Sequence, residues 1–294
     1  MTAGVTSNHR EVRTEQGFNA YVLRNDRLEI VVVPALGAKI ISLKNLRSGR
    51  QWMWHPEAGL KLFTNRLGDD FSRSPLVGAD ECLPTIAPCS FQGRELPDHG
   101  EVWSAAWEVD RQALEGGVLK TSVDLPVSPF TFERRIELRS GHILFGYVLR
   151  SRSSVAESYL WALHPLLRVQ PGDRLEIPAT TLAPRNGEEW IDVVDSLIPA
   201  GRCAKVFAGP LKQGVAAVYN RESGDRLALE WNPVENDTLG LWLTRGEWYG
   251  HHHLALEPTN GAPDQLAAAV EGKRCGIVPA AGSRAWGLTM RLEP

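Results

Sequence analysis

The clearest pattern in this chain is an alternation of apolar and polar positions with a period of two, which is typical of half-buried β-strands. Residues 285–292 alternate in this way, with four large apolar side chains on one face, and predict a strand near the end of the chain. Residues 131–138 and 142–150 show the same pattern on either side of Ser140 and Gly141. A break of this kind between two alternating runs predicts a β-hairpin.

Further strands are predicted where short apolar runs are bounded by Gly, Pro, Asn or Asp, at residues 28–34, 118–125, 159–169, 215–219, 227–231, 239–243 and 252–256. No helical pattern of comparable strength appears. Because strand follows strand, an all-β fold, a large antiparallel β-sandwich, is favoured over a parallel α/β sheet. No short internal repeat and no linker divides the chain, so we expect residues 1–294 to form a single domain.

Residues 64–102 have no clear period and are rich in Pro, Gly, Asp and Arg. A loop of this length inside a compact fold is usually functional. We therefore expect this segment to contribute to a binding or catalytic site.

Composition restricts the class of protein. Of the 294 residues, 43% are hydrophobic and 23% are charged, as in ordinary globular chains. The net charge is -3 and no run of Lys and Arg forms a basic stripe, so nucleic acid is excluded as an expected partner. The chain shows no signal peptide and no stretch of about 20 apolar residues, which predicts a cytoplasmic protein without a membrane partner.

Cysteine and tryptophan usage adds two expectations. The four cysteines, Cys82, Cys89, Cys203 and Cys275, lack a CxxC spacing and are interpreted as free thiols. The 10 tryptophans are numerous beside 5 tyrosines and 8 phenylalanines. Indole rings fill cores and also stack on the apolar faces of sugars, so we expect most of them in the core and a few at a site.

Three stretches place an acid–base group beside Pro or Gly: PDHGEVW (97–103), WALHPLL (161–167) and LALEPTNGAPD (254–264). Glu257 precedes Pro258, which predicts a carboxylate at a strand end on the rim of the sheet. His164 lies within an apolar strand. Histidine and carboxylate in one pocket are suited to proton transfer, because burial and neighbours can bring their pKa values towards neutrality.

In its order of motifs the sequence resembles the aldose 1-epimerase (galactose mutarotase) superfamily. The resemblance rests on VVVPALGAKIISL, a His-Gly pair in a central loop, a strand histidine, a late strand glutamate and the closing AAGSRAWGLTMRLEP. It implies a β-sandwich of large sheets that binds a sugar in an open cleft, with no cofactor and no catalytic metal. Glu101 follows Gly100 where mutarotases tend to have a second glycine, so the chain resembles a divergent branch.

The resemblance implies a role for each of three residues. Glu257 would be the base that removes the proton of the anomeric hydroxyl, His164 the acid that protonates the ring oxygen, and His99 a residue that holds the sugar. The reaction would interconvert α and β anomers of an aldose. This mechanism requires His164 and Glu257 to face one open cleft, with room for a pyranose ring between them.

Structural interpretations of the same residues remain open. His164 is equally a core histidine, Glu257 a strand-end partner of a surface arginine, and His99 a turn residue. Trp103 and Trp107 share parity with His99 and Glu101 if that segment is extended, and they would then face one side.

Other residues are candidates for binding the sugar: Arg73 (with Arg66 and Arg94 as alternatives), Asp80, Glu81, Trp103 and His253. Asp80 and Glu81 are alternatively part of a solvated loop, and Trp103 part of the core. His251, His253 and Glu257 would share one face of an unbroken strand, which also permits a zinc site. We predict no metal, because the resemblance implies none.

Two alternatives to an aldose 1-epimerase remain. One relative in the superfamily acts on hexose 6-phosphates, and such a substrate would require two or more Arg or Lys side chains at the cleft. The other alternative is a non-catalytic carbohydrate-binding domain that retains the fold. The identity of the aldose and the oligomeric state are not predicted.

Overall fold

A computed structural model describes residues 9–177 and 197–293, which form two large antiparallel sheets. In spatial order the first sheet has nine strands: β1 (His9–Glu15), β2 (Phe18–Arg24), β3 (Leu28–Val33), β4 (Lys39–Asn45), β5 (Ala79–Cys82), β13 (Ala162–Arg168), β19 (His252–Thr259), β18 (Thr238–Arg245) and β15 (Arg202–Ala208). The second has eight: β14 (Asp173–Glu176), β16 (Gly214–Asn220), β17 (Arg226–Trp231), β21 (Ser283–Glu293), β11 (His142–Ser151), β10 (Phe130–Arg139), β9 (Leu119–Asp124) and β8 (Glu108–Val109).

The remaining elements are small. β6 (Cys89–Phe91) pairs with β7 (Arg94–Leu96), and β12 (Glu157–Tyr159) pairs with β20 (Gly276–Val278). The described helices are α1 (Arg111–Glu115), α2 (Leu266–Glu271) and a 3₁₀-helix at Phe71–Arg73. None of the helices in the described part of the chain is long and apolar enough to cross a membrane.

The two large sheets pack face to face over one apolar core. Ile30, Leu163 and Leu256 of the first sheet and Phe132 and Met290 of the second are fully buried in it. Large apolar side chains at every second position of each strand are buried in this way between stacked sheets. The prediction of an all-β antiparallel sandwich is confirmed, and the predicted hairpin is β10 paired with β11.

Two strand predictions need correction. Residues 159–169 form two strands, because the chain leaves the small sheet after β12 and enters the large sheet at β13. Residues 64–102 are less irregular than predicted, since they contain β5 near the middle of the nine-stranded sheet. All four residues of β5 are buried, so both faces are covered and no alternation marks the strand.

The outer face of the first sheet is also covered, and this face positions the candidate site. Leu163 and Leu167 of β13 belong to the core between the sheets, whereas Leu166 packs on the opposite face. There it contacts a second apolar cluster that includes Phe71 and Trp103. The parts of segment 64–102 on either side of β5 therefore lie over the central strands of this sheet and enclose a space above them.

Candidate active site

Three central strands bring acid–base groups together on the outer face of the nine-stranded sheet. In the antiparallel register, Asp80 of β5 is paired with His164 of β13. His164 and Glu257 of β19 lie side by side, with 3.5 Å between Nε2 and Oε1. The two residues proposed from the sequence as acid and base are therefore in direct reach of each other.

Glu257 is not on the rim of the sheet as predicted. β19 continues through Pro258 to Thr259, because the extended backbone accommodates proline and loses only one N–H donor. Glu257 is fully buried on a strand that is paired on both sides, with β13 and β18. The distance to His164 also leaves no room for a pyranose ring between the two groups, so a sugar would have to lie above them.

Burial sets the protonation of this pair. It raises the pKa of Glu257, and Lys205, which contacts Oε2, works in the opposite direction. Burial first, and then His99 and Lys205, hold the pKa of His164 well below its ordinary value of 6.5. Within the described structure, Glu257 Oε1 and His164 Nδ1 have no hydrogen-bond partner. Both atoms are buried, so a ligand has to reach them before it can exchange protons with them.

His99 joins the pair from the loop above the sheet. Its ring stacks on Phe71 with 3.7 Å between ring centroids, and it meets the His164 ring edge-on at 5.2 Å. Asp98 Oδ1 lies 3.0 Å from His99 Nδ1. The backbone of His99 has a φ of 57°, a conformation that non-glycine residues seldom adopt and that often occurs at functional sites.

A cavity of about 170 Å³ opens above these groups. Its polar lining residues are Asp98, His99, His164, Lys205, His253 and Asp264, and its apolar ones are Phe71, Leu76, Ile86, Ala87, Leu166, Trp242 and Trp248. Segment 64–102 supplies nearly half of this lining. Convergent polar groups in a largely apolar cavity are typical of a small-molecule site.

Several of these residues were not predicted from the sequence. Lys205 lies in β15, where burial does not alternate. Its place beside Glu257 depends on the order of the strands in the sheet, which the sequence does not give. Trp242 and Trp248 stand edge to face at 5.7 Å and form one wall of the cavity. Asp264 ends the stretch LALEPTNGAPD, so its proximity in sequence to Glu257 was the available signal.

The structure places the predicted sugar-binding residues in different surroundings. His253 lines the cavity. Asp80 lies below it, buried against Lys39. Arg73 points to solvent with 85% of its side chain exposed and approaches Asp70. Trp103 is buried behind Phe71, and its indole N–H donates to the carbonyl of Asp98 at 2.9 Å.

Glu81 does not face the cavity. It lies in the core between the sheets, where Arg134, Tyr147 and Trp161 all donate to its carboxylate. Burial raises its pKa, although the charge of Arg134 opposes this. These hydrogen bonds in the core occupy the Glu81 carboxylate. The prediction of Glu81 as a sugar ligand is corrected accordingly.

The segment from His99 to Trp107 is not extended, so the condition for a shared side is not met. The chain turns at His99 and Gly100, both of which have positive φ. Glu101 is buried and accepts the backbone N–H groups of Val127 and Ser128. Because the chain turns, parity does not direct these side chains to one side.

The histidine triplet lies at the start of β19. The rings of His251 and His253 each pack against Trp54, at 4.7 and 4.8 Å between centroids. Over residues 9–177 and 197–293, no group of three or more His, Cys, Asp or Glu is arranged to hold a metal ion. The four cysteines, all within the described ranges, are free.

No family model matches the sequence, and no curated protein matches it. Solved structures, in contrast, match the fold of this chain. Slr1438 from Synechocystis sp. PCC 6803 superposes with a TM-score of 0.70 at 16% identity, over 100% of this chain and 98% of that one. A galactose mutarotase-like protein from Clostridium acetobutylicum gives 0.72 at 13% identity, over 98% of each chain.

A galactose mutarotase related enzyme from Lactobacillus acidophilus matches with a TM-score of 0.65 at 13% identity, over 94% of this chain and 97% of that one. The chain has the galactose mutarotase-like fold. At these identities the agreement concerns the fold, along nearly the whole chain.

Proposed function

We propose that this protein with the galactose mutarotase-like fold is an aldose 1-epimerase, which interconverts the α and β anomers of a sugar. The main support is the contact of His164 Nε2 with Glu257 Oε1 at 3.5 Å beneath a cavity open to a small ligand. A base and an acid in reach of the same substrate are what ring opening needs.

In the proposed reaction Glu257 Oε1 takes the proton of the anomeric hydroxyl while His164 gives a proton to the ring oxygen. The bond between C1 and the ring oxygen breaks, and an open-chain aldehyde forms. Rotation about the bond between C1 and C2 presents the other face of the carbonyl. The hydroxyl then adds back to C1, and both protons return to their donors.

Access to Glu257 requires a small movement. Its side chain is fully buried under the cavity floor, where the Lys205 ammonium group covers Oε2. The lysine is held on an unbranched chain and has a second carboxylate in reach, with Asp264 Oδ1 at 3.6 Å. We infer that a sugar hydroxyl reaches Oε1 when the side chain of Lys205 tilts towards Asp264, with its ammonium group still in contact with Oε2.

The lining supports a neutral sugar as the substrate. Trp242 and Trp248 offer apolar surfaces to the faces of a ring, and Asp264, His99 and His253 offer polar atoms to hydroxyl groups. Among the described residues that line the cavity there is no arginine, and the single lysine already faces two carboxylates. A hexose 6-phosphate, with two negative charges, fits this lining poorly.

Mutarotation assays test the proposal directly. Freshly dissolved α-D-glucose, α-D-galactose and a hexose 6-phosphate are followed by polarimetry or proton NMR with and without the protein. We expect faster equilibration of a neutral aldose and no effect on the phosphate ester. Saturable sugar binding without faster equilibration, in a folded sample, would instead indicate a non-catalytic carbohydrate-binding domain.

A further inference from the structure

Lys205 reaches Glu257 from two strands away. Glu257 of β19 is paired with Gly240 of β18, and beyond it Lys205 of β15 is paired with Trp242. A side chain at position 240 would press on the glutamate, because a Cβ atom there would lie 3.0 Å from Glu257 Oε2 and 3.3 Å from its Cβ. Gly240, on the strand between β15 and β19, therefore leaves space beside the carboxylate that Lys205 contacts.

Lys205 gives the two carboxylate oxygens of Glu257 different surroundings. Its ammonium group contacts Oε2, whereas Oε1 faces His164 and has no hydrogen-bond partner among the described residues. Burial works to lower the pKa of Lys205, but Glu257 and Asp264 outweigh it and leave this pKa above its ordinary value. Lys205 is thus a permanent positive charge on one side of Glu257.

We propose that Lys205 is a positioning residue of the acid–base pair: reaching across β18, where Gly240 leaves space beside the carboxylate, it favours the charged form of Glu257 against the effect of burial and leaves Oε1 free to take the proton. The inference rests on the proposed epimerase activity. It explains how a carboxylate that is removed from water still acts as a base at neutral pH, since a nearby cation favours the charged form.

Other charged and titratable groups also act on Glu257. They come from every element packed around it and comprise His164 of β13, Cys82 of β5, His99 of the covering loop and Asp264 beyond β19. Lys205 alone among them contacts the carboxylate as a cation. Asp264 raises the pKa of Glu257, so the lysine also offsets this second carboxylate.

The test compares pH profiles of kcat/KM for mutarotation in Lys205→Met and Lys205→Arg. Without the cation Glu257 takes up a proton at higher pH, so we expect Lys205→Met to lose about 10-fold or more at neutral pH. The loss shrinks as the pH is raised, because Glu257 then ionises. Lys205→Arg keeps the wild-type position of the acidic limb, and Lys212→Met, at an exposed lysine, serves as the unaffected control.

Gly240→Ala provides a second route if Lys205→Met fails to fold. The added methyl group presses on the Glu257 carboxylate and should move it away from Lys205, so the acidic limb should again move to higher pH with Lys205 still present. A uniform loss of activity at every pH in both variants, with an unmoved acidic limb, would show a merely structural role and overturn the inference.

A carboxyl ¹³C NMR titration separates this inference from the proposed function. The Glu257 resonance is assigned by its absence in Glu257→Gln and followed against pH in wild type and Lys205→Met. The resonance should titrate at higher pH in Lys205→Met, whether or not a tested sugar is turned over. An unchanged titration beside a wild-type protein that accelerates mutarotation would refute the role of Lys205 and leave the epimerase intact.

Discussion

Gly100 passes so close to Leu83 that a Cβ atom on the glycine would lie 2.1 Å from the Leu83 carbonyl oxygen. The next residue, Glu101, donates its backbone N–H to the same oxygen at 2.7 Å. Gly100 also has a φ of 74°, in the left-handed region. The glycine of the His-Gly pair is therefore required for the loop to lie against β5 and its continuation, which places His99 over His164.

Gly100→Ala should displace this loop. Strain of the left-handed backbone alone costs about 1–3 kcal/mol, and the contact with Leu83 adds to it. Gly93→Ala is a matched control, because Gly93 has the same φ of 74° and open space around its Cβ position. Urea unfolding and mutarotation are measured for both variants. Equal stability and activity in the two would contradict a role for close packing at Gly100.

Glu257→Gln should remove most of the activity while the protein stays folded. The substitution keeps the volume but removes the base, and a positioned acid or base contributes about 10²–10⁴ in rate. The rate of mutarotation is compared with that of Glu222→Gln, at an exposed glutamate. Activity within a few-fold of wild type would reject Glu257 as the base and direct attention to Asp264, the cavity's other carboxylate near Lys205.

The pH profile should fall on its alkaline side at unusually low pH. Burial, His99 and Lys205 lower the pKa of His164, so the imidazole loses its proton below its ordinary value of 6.5. The protonated form donates to the ring oxygen in the proposed reaction, so kcat/KM declines as pH rises through this lowered pKa and is already below its maximum at neutral pH. His164→Gln should abolish the decline together with most of the activity. His164 Nε2 and Glu257 Oε1 are 3.5 Å apart, so the two limbs of the pH profile report the titration of the pair and not of either residue alone.

Much of the fold was predictable because strands such as β10, β11 and β21 are half-buried and alternate. β5 was not, because it is buried on both faces. The same strand shows why two site predictions diverged: Asp80 and Glu81 are consecutive, and consecutive side chains in a strand point to opposite faces. One therefore faces Lys39 beneath the cavity and the other the core between the sheets. The place of Lys205 in the site could not be predicted from the sequence, because it depends on the order of the strands in the sheet.

Glu81→Gln should destabilise the protein without changing turnover of the folded fraction. The substitution leaves the buried Arg134 guanidinium without its charged partner, which costs about 3–5 kcal/mol when a buried pair is broken. Glu137→Gln, which disrupts a surface pair with Arg139, should change stability by less than about 1 kcal/mol. The free energy of unfolding and KM are measured. A raised KM with unchanged stability would restore Glu81 as a sugar ligand.

His253 should make the protein less stable in acid. Burial, then His251 and His252, lower its pKa from 6.5 to about 3 in the folded protein. Between these pH values the unfolded chain binds a proton that the folded protein does not, so stability is lost as the pH falls, by up to about 1.4 kcal/mol per pH unit. The buried carboxyls with raised pKa values oppose this trend, and a comparison with His253→Gln isolates the histidine. Urea unfolding from about pH 8 to pH 4 should show a smaller acid loss in the variant, whereas parallel curves would mean that the folded protein protonates His253 as readily as the unfolded chain does.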